Sequence, residues 1–144
     1  MKILPATPAD APAIANILTG WIAATPWIPR VHSRRSEKEF ARILVDRGWT
    51  KVARDRGRAL GFLARDGAEV HALYLSPAAR GQGIGKALLD EAKAVCPELS
   101  LYAFQANEGA CRFYRREGFS EEFRTDGAGN DEHLPDIRFR WRAA

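Results

Sequence analysis

Apolar residues recur at Ile14, Ile17, Leu18, Trp21 and Ile22, with polar or small residues between them. Steps of three and four lay these side chains along one stripe of a helix, which needs a core to cover it. Ahead of the stripe, Thr7 is placed to cap, Pro8 suits the first helical position and Asp10 adds an acid to the first turn. Pro26 and Pro29 end the segment in a loop. Phe40, Ile43 and Leu44 repeat the pattern. Ser36, with Glu39 three residues on, predicts a capping box at the start of this second helix, and Gly48 predicts its end.

The period then drops to two. Residues 49–54, 60–65 and 69–75 read as strands. Asp55-Arg56-Gly57 divides the first from the second, and Asp66-Gly67, a tight-hairpin pair, divides the second from the third. Together they predict an antiparallel meander. Helical spacing returns after Gly83 at Ile84, Ala87, Leu88, Ala92 and Val95, until Pro97 stops it. Residues 99–104 predict an apolar strand, 107–117 a short helix closed by Gly118, and 119–124 and 137–141 two last strands. Residues 125–136, rich in Gly, Asp and Asn, are expected to form a mobile loop. With Ile3 and Leu4 as a short first strand, the order is strand, two helices, three strands, helix, strand, helix, two strands. That is one mixed α/β domain over residues 1–144, without an internal boundary.

Composition narrows the classes. The 144 residues are 46% hydrophobic and 28% charged, an ordinary globular balance. No run approaches the ~20 apolar residues that span a bilayer. The N-terminus, interrupted at Pro5, is too short for a secretory signal. Cys96 and Cys111 match no disulfide framework or zinc spacing and point to reduced thiols in a cytoplasmic protein. The net charge of +4 favours an anionic partner. Nucleic acid and a phosphorylated cofactor both qualify. Scattered arginines, and no helix-turn-helix, zinc-finger or RNP pattern, count against nucleic acid.

The chemistry concentrates in residues 73–86. An apolar strand runs into Arg80-Gly81-Gln82-Gly83-Ile84-Gly85-Lys86, a glycine-rich turn that opens a helix. Bare backbone N–H groups at a helix N-terminus favour a phosphate or pyrophosphate, and Arg80 and Lys86 add two full charges. The dinucleotide fingerprint G-x-G-x-x-G fails at its sixth position, which is Lys86, and the strands before it are hairpins. The nucleotide phosphate loop fails too, because it needs glycine where Arg80 stands and Ser or Thr where Ala87 stands.

The turn does fit R/Q-x-x-G-x-G/A, and so resembles the acyl-CoA signature of the GNAT superfamily of N-acetyltransferases. Asn107, Ala110, Phe113, Tyr114, Gly118 and Phe119 are similar to that family's N-x-x-A-x-x-F-Y-x-x-x-G-F pattern. The two motifs fall in order and cover about residues 70–119. The resemblance implies a GNAT fold: a mostly antiparallel sheet of six to seven strands, flanked by about four helices and splayed between the fourth and fifth strands. It implies acetyl-CoA as cofactor, with pantetheine paired to the strand carrying Leu73, Tyr74 and Leu75 and the pyrophosphate on Gly81, Gln82, Gly83, Ile84, Gly85 and Lys86. Asn107, Phe113 and Arg116 are expected to complete the cofactor contacts, although Asn107 reads equally as a helix cap and Arg116 as part of a solvated basic face.

The implied reaction is attack of a neutral amine on a thioester. Tyr114 stands where the family places a general acid for the leaving thiolate. A base is needed because a lysine-type amine is mostly protonated at neutral pH. Alternation puts Glu69, His71, Leu73 and Leu75 on one strand face, so Glu69 and His71 are candidates, with water as a third. Trp27, Arg30 and His32, in the loop after the first helix, are expected on the acceptor side. The acceptor is a small-molecule or peptide amine; monomer and homodimer both fit, and no metal or membrane is implied. The alternative is a protein that binds acyl-CoA without turnover, since a fold does not dictate a function.

Overall fold

The computed structural model describes residues 1–144. The elements in chain order are β1 (Lys2–Pro5), α1 (Ala11–Ala24), α2 (Arg34–Asp46), β2 (Thr50–Asp55), β3 (Arg58–Asp66), β4 (Glu69–Leu75), α3 (Ile84–Val95), β5 (Glu98–Phe104), α4 (Glu108–Arg116), β6 (Ser120–Thr125) and β7 (Asp136–Arg142). One seven-stranded sheet runs β1-β2-β3-β4-β5-β7-β6. Every neighbouring pair is antiparallel except β4 and β5. The element order is the expected one, and strand ends move by one or two residues, as boundaries do. No helix is long and apolar enough to cross a membrane.

Two cores cover the two faces. On one face Leu88 and Leu89 of α3 and Tyr114 of α4 pack with Leu99, Leu101, Ile137 and Phe139 of the sheet. On the other, Ile14 and Ile17 of α1 and Leu44 and Val45 of α2 pack with Val52, Phe62 and Ala72. Helix α1 lies over β3 and β4 and α2 packs against α1, so neither helix covers the β5–β7–β6 wing. There Glu69, Glu98, Glu122, Arg138 and Arg140 pair across strands.

Three expectations need correction. The first concerns the start of α2. Its cap is Ser33, whose Oγ accepts from the Ser36 N–H at 3.1 Å, so Ser36 lies inside the helix. The earlier start brings Glu37 into the first turn, where its carboxylate is buried and accepts from Thr19 Oγ1 at 2.6 Å and Arg30 at 2.7 Å. Those two partners outweigh an exposed Ser36–Glu39 box.

The second is the alternation along β4. Ala72 pairs with Ala64 and Val70 with Arg65, leaving His71 as an extra residue in a β-bulge. The bulge shifts the pattern between faces. Val70, Leu73 and Leu75 all pack on the α3 side, whereas Ala72 and Tyr74 pack under α1. Glu69 and His71 therefore do not share a face with Leu73 and Leu75; His71 instead stacks on Trp49.

The third is the loop 125–136. Asn130 holds Leu134 from both ends, with Nδ2 donating to its C=O at 2.8 Å and Oδ1 accepting from its N–H at 3.2 Å. The Asp136 carboxylate accepts from the Thr125 hydroxyl and from Asn130 Nδ2, and Gln105 Nε2 donates to the Asp136 C=O at 3.2 Å. A closed hydrogen-bond set of this kind gives the segment a defined shape, where composition alone suggests mobility.

Candidate active site

A cleft opens where the sheet fails to close. Strands β4 and β5 share one register pair, Glu69 with Ser100, beside a bond from the Ser100 N–H to the Ala68 C=O at 2.8 Å. Beyond that pair the strands part. The Ser76 N–H donates toward β3, to the Leu60 C=O at 2.9 Å, so alternation turns the backbone groups of Leu73 and Leu75 into the gap. Such groups require a partner. The gap forms a cleft of about 730 Å³ that runs from Trp21, Tyr74 and Phe104 at one end to Arg80, Lys86 and Arg116 at the other.

The basic end is built from backbone. Gly83 caps α3 at φ 77°, in the left-handed region that glycine alone adopts without strain. The first bond of the helix runs from the Ala87 N–H to the Gly83 C=O at 3.0 Å, and the N–H groups of residues 81–86 meet no backbone carbonyl. Gly85 sits close to α4: a Cβ there would stand 3.3 Å from Phe113 Cζ, a tight contact that the ring would have to yield to by a few tenths of an ångström. The free donors and the helix dipole make an anion cradle. The Gln82 side chain turns back to the Ala78 C=O at 2.9 Å. Lys86 bonds Asp90 at 2.9 Å, which holds its ammonium above the usual lysine range, and approaches Glu117 at 3.5 Å. Arg116 lies over the Phe113 ring and 3.6 Å from Glu117, a cleft residue that the sequence reading missed.

Asn107 caps α4, its Oδ1 accepting from the Ala110 N–H at 3.2 Å, and it also lines the cleft. That cap sets the helix that carries Tyr114. The Tyr114 ring is buried among Phe113, Phe119 and Phe139, and its side chain lines the cleft. Burial pushes its phenol well above the usual tyrosine value. Tyr74, on the opposite wall, packs against Trp21 and Phe62. Burial, and then the charge of Glu132, push its phenol up to about 12. Both phenols are therefore neutral donors at ordinary pH.

The other candidates separate. His71 is exposed and lines the cleft, with its ring stacked on Trp49 at 4.9 Å. Glu69 is outside the lining, and its two oxygens accept from Arg138 at 2.6 and 2.7 Å. That fork raises Arg138 above the usual arginine range. Trp27, Arg30 and His32 do not line the cleft either. Trp27 backs Trp21 and Phe104, with ring centroids 6.0 and 5.8 Å away. Arg30 is tied to Glu37, and His32 Nε2 lies 2.9 Å from Asp131 Oδ2, joining the α1–α2 connection to the 125–136 loop. The aromatic lining residues Trp21, Tyr102 and Phe104 were legible only as core or strand residues, because periodicity reports a buried side and not a cavity. No group of three or more His, Cys, Asp or Glu side chains is arranged to hold a metal ion.

A family model described as an acetyltransferase (GNAT) domain matches residues 39–121. The peptidyl-lysine N-acetyltransferase YjaB of Escherichia coli (strain K12) is 33% identical over 78 residues, 54% of this chain and 52% of YjaB, so the sequence match spans about half the length of that relative. The peptidyl-lysine N-acetyltransferase YiaC of the same organism is 29% identical over 140 residues, 92% of this chain and 90% of its own. Among solved structures, apo-form YjaB superposes with a TM-score of 0.82 at 23% identity, covering 99% of this chain and 98% of that one. The structure of yncA from Salmonella typhimurium with its cofactor acetyl-CoA superposes at 0.74 and 21% identity, covering 100% and 94%. At these identities the superpositions speak for the fold.

Proposed function

The chain belongs to the GNAT acetyltransferase family, and from that premise we propose that it moves acetyl from acetyl-CoA to a primary amine, with Tyr114 as general acid. The observation that carries the reading is the continuity of the unpaired β4 edge with the free N–H groups of residues 81–86. One run of bare backbone suits an extended pantetheine chain that ends in a pyrophosphate. Leu73 and Leu75 would hold the chain, residues 81–86 the pyrophosphate, and Arg80, Lys86 and Arg116 its charge.

Bound there, acetyl-CoA supplies a thioester. An N–H of the β4 edge polarises its carbonyl oxygen. The Tyr114 hydroxyl donates toward the sulfur as the thiolate leaves, and its raised phenol keeps the proton available throughout the neutral range. His71 is the better placed of the two base candidates, because Arg138 occupies both oxygens of Glu69. It would accept the amine proton directly or through water. Two relatives named peptidyl-lysine N-acetyltransferases favour a lysine-type amine.

The test is thiol release from acetyl-CoA across a panel of amines and lysine peptides, with mass spectrometry of the products. Amine-dependent thiol release with an added acetyl group is expected. A melting temperature raised by acetyl-CoA with no turnover of any amine would instead mark a binding protein.

A further inference from the structure

Three carboxylates are almost fully buried: Asp10 and Glu37 at 3% exposure and Asp136 at 7%. Two of them have an arginine. Asp10 meets Arg54, and Glu37 accepts from Arg30. Asp136 has only neutral partners, the Thr125 hydroxyl and the Asn130 amide. A buried carboxylate without a countercharge is costly, and structures rarely keep one without a reason.

No ion pair reaches Asp136 from a neighbouring Lys, Arg or His, His133 of the same segment included. Arg138, two residues along β7, is forked to Glu69. Residues 126–136 carry Asp126, Asp131, Glu132 and Asp136 and no Lys or Arg, in a chain whose net charge is +4. Asp136 also faces space. With Tyr102, Phe104, Thr125, Gly129 and Asn130 it lines a cavity of about 310 Å³. Tyr102 and Phe104 line the main cleft as well, so the cavity adjoins the end of that cleft away from the phosphate cradle.

We infer that this cavity is an acceptor subsite in which Asp136 pairs with a second positive charge on the molecule that carries the reacting amine. The inference rests on the acyl-transfer reading above and narrows its substrate class. The acceptor is a dication whose charges are joined by an apolar stem: a lysine with a basic neighbour in a peptide, or a polyamine. The Tyr102 and Phe104 rings suit the stem, and the carboxylate suits the charge.

Thiol release from acetyl-CoA, measured on matched pairs, tests it. One pair is a lysine peptide with arginine beside the lysine and the same peptide with glutamine there. The other is putrescine, a diamine with two charges, and butylamine, its single-charge counterpart. The dication should win by roughly tenfold in kcat/KM, the scale of one charge-assisted hydrogen bond. The pair with the larger ratio identifies the source. Asp136→Asn should collapse the ratio. So should Gly129→Leu, which puts bulk on the cavity wall at a position where a Cβ meets no atom within 4 Å. A melting shift with acetyl-CoA checks that each variant is folded. Equal turnover of monocation and dication, or a preference that survives both substitutions, overturns the subsite. Were no amine turned over, the transfer reading would fall, and calorimetry with putrescine would decide the subsite alone: weaker binding to Asp136→Asn supports it, and equal binding sinks it.

Discussion

The two ends of the cleft are made of different material. The end proposed for phosphate is backbone: bare N–H groups of residues 81–86, a left-handed Gly83 and a β4 edge without a partner. The opposite end, proposed for the acceptor, is side chain: Trp21, Tyr74, Tyr102 and Phe104 from three elements, backed by Trp27 and bordered by the 125–136 loop. A backbone site is fixed by one local conformation and fits a constant ligand. A side-chain site changes with each substitution and suits an acceptor that differs between relatives. The cofactor half should therefore fail as a unit, and the acceptor half by degrees.

The hardest break is Gly83→Val. A β-branched residue cannot hold φ 77° without strain of about 1–3 kcal/mol, and a relaxed turn would aim its N–H groups elsewhere. The acetyl-CoA melting shift should vanish at millimolar ligand; a retained shift would mean that the cradle does not depend on this conformation. Next in size is Tyr114→Phe. It removes one hydroxyl and keeps the ring packed against Phe119 and Phe139. Turnover should fall roughly hundredfold, the usual scale for general acid–base help, while the acetyl-CoA melting shift persists. Loss of both together would make Tyr114 a structural residue and blur the division between the two halves.

The same division governs what could be read from the sequence. The glycine turn that opens α3 was legible because its demands are local. Gly81, Gly83 and Gly85 stand within five residues, and the strand before them and the helix after them show their periods directly. The splay between β4 and β5 was legible only through the family resemblance, since nothing in either strand alone forbids pairing. The acceptor half was mostly hidden. Asp136 and Thr125 enclose the loop that Asn130 ties together, and only the sheet register brings those ends side by side. The bulge at His71 is invisible in a strand that alternates correctly on paper, yet it moves Glu69 and His71 off the Leu73 face. The Ser36–Glu39 pattern hid the true cap, Ser33, because the burial of Glu37 against Thr19 and Arg30 shows only in the fold.

A third prediction uses the two tyrosines, one from each wall. Burial lifts both phenols above the ordinary value of 10.0. Above pH 10 the unfolded chain releases protons that the folded chain keeps, so stability is complete below that pH and is lost as pH rises. The slope is about 1.4 kcal/mol per pH unit for each phenol, or tenfold in the folding constant. For Tyr74 the loss should continue to about pH 12. Urea midpoints between pH 9 and about 11.5 should show Tyr74→Phe and Tyr114→Phe each reducing the slope. An unchanged slope in either variant would mean that its phenol reaches solvent in the folded state.

The smallest expected effect probes how the acceptor half is assembled. His32 and Asp131 are half to mostly exposed, so their 2.9 Å contact should add less than about 0.5 kcal/mol to stability. It is nevertheless a direct tie between the α1–α2 connection, whose Trp27 backs Phe104, and the 125–136 loop, which lines the cavity proposed for the acceptor. His32→Ala should leave the melting temperature within a degree or two and acetyl-CoA affinity unmoved, yet raise the acceptor KM about twofold, on the scale of one exposed contact. Asp131→Asn should do the same, and the double substitution no more than either alone, because both remove one contact. If the KM for acetyl-CoA moved in step with that for the amine, the two ends of the cleft would be one coupled site, and the contrast between a backbone half and a side-chain half would lose its functional meaning.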